Sequence, residues 1–138
     1  MPSTLPGFTL TPRMEIRLAD TNIRGVRADI ADGVMSHVVV FITAAAPEEA
    51  ERLGRTLLDE RLAACVNTVP VRSAYWWQGQ VEAAGETLLI VKTAARLVDA
   101  LTARVRALHS ATVPEVIAVP IVGGNPDYLR WIDESVRA

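Results

Sequence analysis

Cysteine is almost absent from this sequence, which contains one copy, Cys65, in 138 residues. A single cysteine excludes an internal disulfide and a CxxC metal-binding pair within the chain, and so excludes a secreted disulfide scaffold. Long apolar runs are also missing. None approaches the roughly 20 residues that span a bilayer, and the N-terminus lacks a secretory apolar segment. We therefore predict a soluble, cytoplasmic protein with no membrane partner.

Neither sign of charge is in large excess. The 14 basic and 16 acidic residues leave a formal net charge of -2 at pH 7, and no run of lysine and arginine suggests a surface for phosphate backbones. This composition argues against nucleic-acid binding. No Ser/His/Asp, Cys/His or paired-carboxylate arrangement stands out either, so we predict that the protein is not an enzyme.

The chain divides into two unequal parts. Residues 1–36 mix proline and glycine with one alternating piece, in which Met14, Ile16 and Leu18 are separated by charged residues. Such alternation is typical of an edge strand. We interpret residues 1–36 as an N-terminal extension, either partly disordered or contributing an edge strand, and residues 37–138 as the single folded domain.

The folded domain alternates strand and helix signals. Pro47 suits the first turn of an amphipathic helix, and Asn125 is a natural N-cap before Pro126. The predicted elements are strands at 37–44, 63–77, 81–93 and 116–122, and helices at 47–62, at 95–109 and from 126 onward. This order predicts an α+β fold, the ferredoxin-like split βαβ two-layer sandwich (βαββαβ plus a C-terminal helix) with helices on one face of an antiparallel sheet.

Two residues interrupt the central strand signals. Pro70 cannot donate a ladder hydrogen bond, so it predicts a bulge, a bend or an edge position. Gly85 predicts a break in the returning strand, and the "QGQ" at 78–80 predicts the hairpin turn between the two strands.

Three of the predicted strands are apolar on both faces, in the runs at 38–42, 88–91 and 116–119, although the helices of one chain cover only one face. A second cover is needed, because soluble monomers rarely expose so much contiguous apolar surface. We expect another copy of the chain, with the extension as the alternative cover. The stretch "SAYWWQG" fits this view: Trp76 and Trp77 are predicted on opposite faces, with at least one of them buried by another subunit.

The chain has 13 arginines but a single lysine, Lys92, at the end of the apolar "LLIVKT". A lysine offers a compact ammonium that a guanidinium does not, although a side chain reaching past the sheet into water is the structural alternative. Cys65, in "LAACVN", is either a small buried hydrophobe or a soft metal ligand. Its metal partners would be His109, His37, Met35 or the Cys65 of another copy.

His109 lies at the predicted end of a helix, where the dipole favours a protonated imidazole, so a structural role competes with metal ligation. Glu115 is an isolated carboxylate at the start of an apolar strand. It is either an ordinary strand-end charge or the partner of Lys92 at a subunit boundary. The "GGNP" at 123–126 has no phosphate-binding fingerprint and is interpreted as a turn.

Five motifs in order resemble those of the CutA divalent-cation tolerance proteins: "ERLAACVN", "SAYWWQG", "ETLLIVKT", "VPEVIAVPI" and "GNPDYLRWI". The resemblance covers about residues 37–137 and none of the extension. It implies a ferredoxin-like protomer in a tight homotrimer of the PII-like type, with long hairpin strands that reach neighbouring subunits. The implied trimer agrees with the second cover that the apolar sheet requires.

The resemblance also implies tolerance of copper and other divalent cations, with metal bound through cysteine and histidine. The matching positions are Cys65 and His109, and Ala111 stands where relatives usually have a tyrosine. Other matched positions are expected to line the same intersubunit cleft: Asn67, Ser73, Tyr75, Trp77, Lys92 and Glu115. No cofactor beyond copper or another divalent cation is implied. A PII-like sensor of a small anion or nucleotide, and a trimeric scaffold without a dedicated ligand, are the alternatives.

Overall fold

The computed structural model describes residues 36–138, so the alternating piece at 14–18 lies outside the described residues. The elements are β1 (His37–Ala44), α1 (Pro47–Asp59), β2 (Cys65–Trp77), β3 (Gln80–Ala94), a 3-10 turn (Ala95–Leu97), α2 (Val98–Leu108), β4 (Val116–Pro120) and α3 (Pro126–Ser135). The strands form one antiparallel sheet in the order β2-β3-β1-β4. The predicted ferredoxin-like α+β class is confirmed. Within the described residues, no helix is long and apolar enough to cross a membrane.

α1 begins as predicted and ends earlier. Pro47 occupies the start of the helix, where its missing N–H has no intrahelical partner to lose. The helix ends at Asp59 because Arg61 adopts a φ of 55°, in the left-handed region. The N–H of Leu62 then bonds the Leu57 carbonyl at 2.9 Å, which closes the helix end and directs the chain toward β2.

The hydrophobic core lies between one face of the sheet and the inner sides of α1 and α2. Burial alternates along β1, where Val40 and Ile42 have no exposed surface. Leu57 of α1 and Leu101 of α2 pack against this face and are 1% and 0% exposed. The helices therefore cover the even-numbered residues of β1, as the two-layer class requires.

β2 and β3 pair without interruption, in contrast to the break predicted at Gly85. Gly85 lies opposite Arg72, and Pro70 lies opposite Thr87, in one continuous register. The structure has an edge position at Pro70 and no bulge, since β2 is the outermost strand of the sheet. An edge strand tolerates a residue without an N–H because one of its sides has no strand to bond.

The β2–β3 hairpin extends well beyond the rest of the sheet. β1 reaches only to Ala44, which lies opposite Thr87, so residues 71–86 pair with one another alone. We call residues 71–86 the arm. Its turn has φ values of 50° at Gln78 and 78° at Gly79, the positive values that a tight two-residue hairpin turn requires.

The sheet face turned away from α1 and α2 is here called the open face. Strand alternation and register place on it Val39 and Phe41 of β1, Cys65, Asn67 and Val69 of β2, Leu88, Ile90 and Lys92 of β3, and Ile117 and Val119 of β4. α3 crosses one end of this face, since Asp133 bonds the His37 ring at 3.0 Å and Tyr128 lies next to Cys65. The prediction that all helices pack on one face is therefore wrong for α3.

Candidate functional site

Two adjacent strands place the chain's only cysteine beside its only lysine. Cys65, the first residue of β2, lies directly opposite Lys92 of β3, and directly opposed residues point to the same face. Val39 of β1 continues the same row. The candidate residues Cys65 and Lys92 are therefore brought together by the register of the antiparallel sheet, 27 positions apart in sequence.

Polar contacts link these side chains to a third predicted residue, Asn67. The Lys92 ammonium donates to the Asn67 side-chain oxygen and lies 3.8 Å from the Cys65 sulfur. The Cys65 thiol is also 3.8 Å from the Asn67 oxygen. Lys92 therefore ends at a partly buried polar cluster. It does not extend freely into water, which was the alternative for this residue.

Tyr128 completes the cluster and was not assigned a role from the sequence. Its hydroxyl lies next to the Cys65 thiol, and burial, followed by the neighbouring thiol, raises the pKa of Tyr128. Asn125 positions the ring by capping α3, its side chain accepting from the Asp127 N–H at 3.0 Å. We call Cys65, Asn67, Lys92 and Tyr128 the thiol cluster. The "GNPDYLRWI" motif contained the tyrosine, but nothing local indicated which strand α3 would contact.

His109 lies elsewhere and is held at both ring nitrogens. Nδ1 accepts from the Ala111 N–H at 2.9 Å, so Nε2 carries the proton and donates to the Thr43 carbonyl at 2.7 Å. Thr43 is four residues along β1 from Val39 of the thiol-cluster row, a separation of about 13 Å. Within one chain the structure does not bring His109 and Cys65 together.

Ala111, which stands where relatives usually have a tyrosine, still has a structural role, because its backbone N–H donates to the His109 ring. Glu49 of α1 lies on the other side of the imidazole, with one carboxylate oxygen 3.7 Å from Nε2. That oxygen is buried and has no hydrogen-bond partner among the described residues. The histidine therefore joins α1, β1 and the loop before β4, which is a structural role for a residue predicted as a ligand.

Glu115 faces another carboxylate in place of the predicted Lys92. Burial, followed by the negative charge of Glu86, raises the pKa of Glu115. Lys92 forms no ion pair within 4 Å with any carboxylate of the described residues. The pairing of Lys92 with Glu115 is therefore not made within the chain. The physical reason is register: Glu115 precedes Val116, which pairs with Ile42 and so lies toward the opposite end of β1 from Lys92.

The remaining cleft candidates lie on the arm. Ser73, Tyr75 and Trp77 belong to the same side of β2 as Cys65, and each is half-buried. Trp76 lies on the other side and is 62% exposed. The two tryptophans therefore point to opposite faces, as the sequence predicted. Burial of either one by another subunit stays a prediction.

The described residues do not form a metal site within one chain. Between residues 36 and 138, no group of three or more His, Cys, Asp or Glu side chains is arranged to hold an ion. His37, a candidate partner of Cys65, is paired with Asp133, and Met35 lies outside the described residues. A surface depression of about 580 Å³ on α1, lined by Glu48, Arg52 and their neighbours, lies apart from the thiol cluster.

Comparisons with known proteins point to one family. A family model described as CutA1 divalent ion tolerance protein matches residues 38–135. The chain is 46% identical over 112 residues to the chloroplastic CutA 1 protein of Oryza sativa, covering 80% of this chain and 63% of that protein. It therefore spans less than two thirds of the rice protein.

Two solved structures are similar over nearly their whole length. The structure of the periplasmic divalent cation tolerance protein CutA from Archaeoglobus fulgidus has a TM-score of 0.72 and 46% identity, covering 73% of this chain and 99% of that one. The divalent cation tolerance protein from Thermus thermophilus has a TM-score of 0.72 and 47% identity, with the same coverage of 73% and 99%. The matched region is the folded domain, and the N-terminal extension lies outside the family model.

Proposed function

Because the chain belongs to the CutA1 divalent ion tolerance family, we propose that it is a homotrimeric divalent-cation tolerance protein. It binds copper or a related soft cation, or a small ligand, in clefts between subunits. The observation that carries the proposal is the thiol cluster, in which a cysteine, a lysine and a tyrosine converge on the open face of the sheet. The family is named for tolerance and for no reaction, and we propose no catalytic role.

Self-association is supported by apolar surface that one chain leaves uncovered. On β4, Ile117 and Val119 are 53% and 46% exposed on the open face. The arm adds Trp76 and Val81, cross-strand partners that are 62% and 61% exposed. A two-stranded hairpin alone is marginally stable in water, so the arm needs a surface to pack against. Both sheet edges, β2 and β4, also offer unpaired backbone groups to another copy.

Metal binding by the thiol cluster would depend on this assembly. Among the described residues, one chain brings a single thiol to this cluster, that of Cys65, and copper in its reduced state prefers several sulfur or nitrogen ligands. Copies related by a threefold axis would bring further ligands to the same cleft. Association is therefore the first property to measure, and metal binding the second.

Assembly is tested by sedimentation equilibrium of the full chain from nanomolar to micromolar concentration. We expect a mass three times that of the chain, and a concentration-dependent loss of trimer in the Val119→Asp variant, because a carboxylate would be placed in an apolar interface. Arg55→Asp, on the outer side of α1, is the matched control. A monomer at micromolar concentration would contradict the proposal.

Metal binding is tested by titrating Cu(I) and Cu(II), separately, into the wild type and the Cys65→Ser and His109→Gln variants. We expect Cys65→Ser to lower the affinity at least tenfold, because the thiolate is the softest ligand available. His109→Gln is expected to have a smaller effect, since both ring nitrogens already have partners. Unchanged affinity in Cys65→Ser would rule out the thiol cluster as the copper site.

A second function, sensing a small anion or nucleotide, is favoured by the charge of Lys92. Its ammonium contacts Asn67 and Cys65 but no carboxylate of the described residues, so an anion would find an uncompensated positive charge. Thermal unfolding with adenine nucleotides and small carboxylates tests this idea, with Lys92→Met as the variant that loses any stabilisation. If neither metal nor anion binds while the trimer persists, a scaffold without a dedicated ligand is the remaining function.

The proposal also includes the cellular location of the protein. The names of two relatives place one in the chloroplast and one in the periplasm, so the family is not confined to one compartment. We propose a cytoplasmic location for this chain, where a reduced thiol such as Cys65 is maintained. Fractionation of cells expressing the full chain is the direct measurement.

A further inference from the structure

The thiol cluster joins the only cysteine and the only lysine of the chain. The other 13 basic residues are arginines, which supply positive charge and hydrogen bonds wherever the protein needs them. Position 92 differs because a lysine can lose a proton and become a nucleophilic amine, whereas a guanidinium stays protonated. The Lys92 nitrogen lies 3.8 Å from the Cys65 sulfur. The one amine side chain is therefore used at the one place where it touches a thiol.

The surrounding residues hold these two atoms in contact. Lys92 and Cys65 are directly opposed in the β2–β3 register, so the backbone fixes the distance between their Cβ atoms. The Asn67 oxygen accepts from the Lys92 nitrogen and restricts a side chain that would otherwise be flexible. Tyr128 lies next to the thiol from α3. The amine and the thiol are therefore held side by side across a continuous strand pair.

We propose that Cys65 and Lys92 form a reversible sulfenamide crosslink when a peroxide oxidises the thiol. In the first step the Cys65 thiol gives up its proton and its sulfur attacks hydrogen peroxide. An S–O bond forms, the O–O bond breaks, and the departing hydroxide takes up that proton and leaves as water. The product is a sulfenic acid, a species that condenses with a backbone nitrogen to form a sulfenamide. In this proposal the Lys92 amine takes the place of the backbone nitrogen. The sulfur has lost two electrons, and the peroxide has gained them.

In the second step the lone pair of the deprotonated Lys92 amine attacks the sulfur. An S–N bond forms, the S–O bond breaks, and the departing hydroxide takes a proton from the nitrogen to leave as water. In total the chain loses two hydrogens and one peroxide becomes two waters. Two molecules of an external thiol reverse the link, restoring Cys65 and Lys92 and forming one disulfide between themselves.

The single cysteine makes the product easy to identify by mass. The reduced full chain is treated with hydrogen peroxide in metal-free buffer, and its intact mass is measured. We expect a decrease of about 2 Da, which an intramolecular disulfide cannot cause in a chain with one thiol. Digestion with trypsin should fail after Lys92 and yield the peptide 62–72 joined to 73–96. Dithiothreitol should restore the separate peptides.

Lys92→Arg is the matched control, because it keeps the positive charge and removes the amine. The variant should show no loss of 2 Da and should instead accumulate oxygen adducts at Cys65 or dimers between chains, with folding checked by circular dichroism. If the wild type gives the same products as Lys92→Arg, the proposal is wrong. A wild-type link that retains one oxygen between sulfur and nitrogen would also overturn the sulfenamide. Peptide mapping of the wild type decides the question even if the variant does not fold.

Discussion

Both faces of the sheet carry large apolar side chains, and the faces differ in what covers those side chains. Ile42, on the helix side, has no exposed surface, whereas Ile117 of the neighbouring strand is 53% exposed on the open face. Both residues are isoleucines in apolar strands, so the sequence alone predicts that both are buried. Two helices cover the first face, but in the described residues only α3 crosses part of the second. Residues 36–138 of one chain therefore leave apolar side chains of the open face exposed.

The largest expected effect comes from replacing one isoleucine on each face with alanine. Ile42→Ala should lower the free energy of unfolding by about 2–5 kcal/mol, because it leaves a cavity in a closed core. Ile117→Ala should lower it by less than about 1.5 kcal/mol in dilute solution, since half of that side chain already contacts water. Urea unfolding followed by circular dichroism measures both values.

Protein concentration sharpens the same comparison. If another copy covers the open face, the loss in free energy of unfolding caused by Ile117→Ala should increase with protein concentration. It should then approach the loss caused by Ile42→Ala. Costs that stay equal for the two variants at every concentration would mean that Ile117 is already covered within one chain.

A second, smaller effect is expected on the arm. Its two sides belong to the two faces of the sheet, so substitutions there test the same comparison outside the four-stranded part. Trp76→Ala and Trp77→Ala remove rings from opposite sides of one strand, and each should raise the dissociation constant of the assembly about tenfold or more, the equivalent of about 1.4 kcal/mol. Gln80→Ala, which changes the exposed cross-strand neighbour of Trp77, is the control. Sedimentation velocity at low micromolar concentration measures the shift. A double tryptophan variant that stays fully assembled would show that the rings serve another purpose.

The smallest expected effect concerns the pH dependence of stability that Glu115 contributes. Because burial and Glu86 raise its pKa above 4.5 in the folded protein, the folded state binds its proton more tightly than the unfolded state. Stability should therefore fall as the pH rises through the interval between 4.5 and the raised pKa. Glu115→Gln should raise the melting temperature slightly at pH 7 and not at pH 4. A gain of the same size at both pH values would contradict this account.

Much of the fold was predictable because its signals are local. The β-branched run of β1, Pro47 at the start of α1 and the Asn125 cap before α3 are each decided by neighbours within a few residues. The break predicted at Gly85 was wrong because that prediction also used only local information. A glycine removes a local preference, but the long β2–β3 ladder around it keeps the strand continuous.

The candidate site was predictable only in part. Cys65, Asn67 and Lys92 were named from the sequence, and the sheet register brings them together. His109 was named with them, yet it bonds Thr43 and Ala111 at the other end of β1. Residue type indicated what each side chain was able to do, but the distance between them depended on how the strands were ordered.

The sequence by itself determined most of the helices and strands, and the continuous apolar runs that give three of the strands two apolar faces, because propensity and periodicity act over a few residues. Only the tertiary structure decided that α3 crosses the open face, that Tyr128 lies next to Cys65, and that Glu115 faces Glu86 instead of Lys92. These contacts join residues tens of positions apart. They follow from strand order, register and the packing of whole elements, which no local pattern encodes.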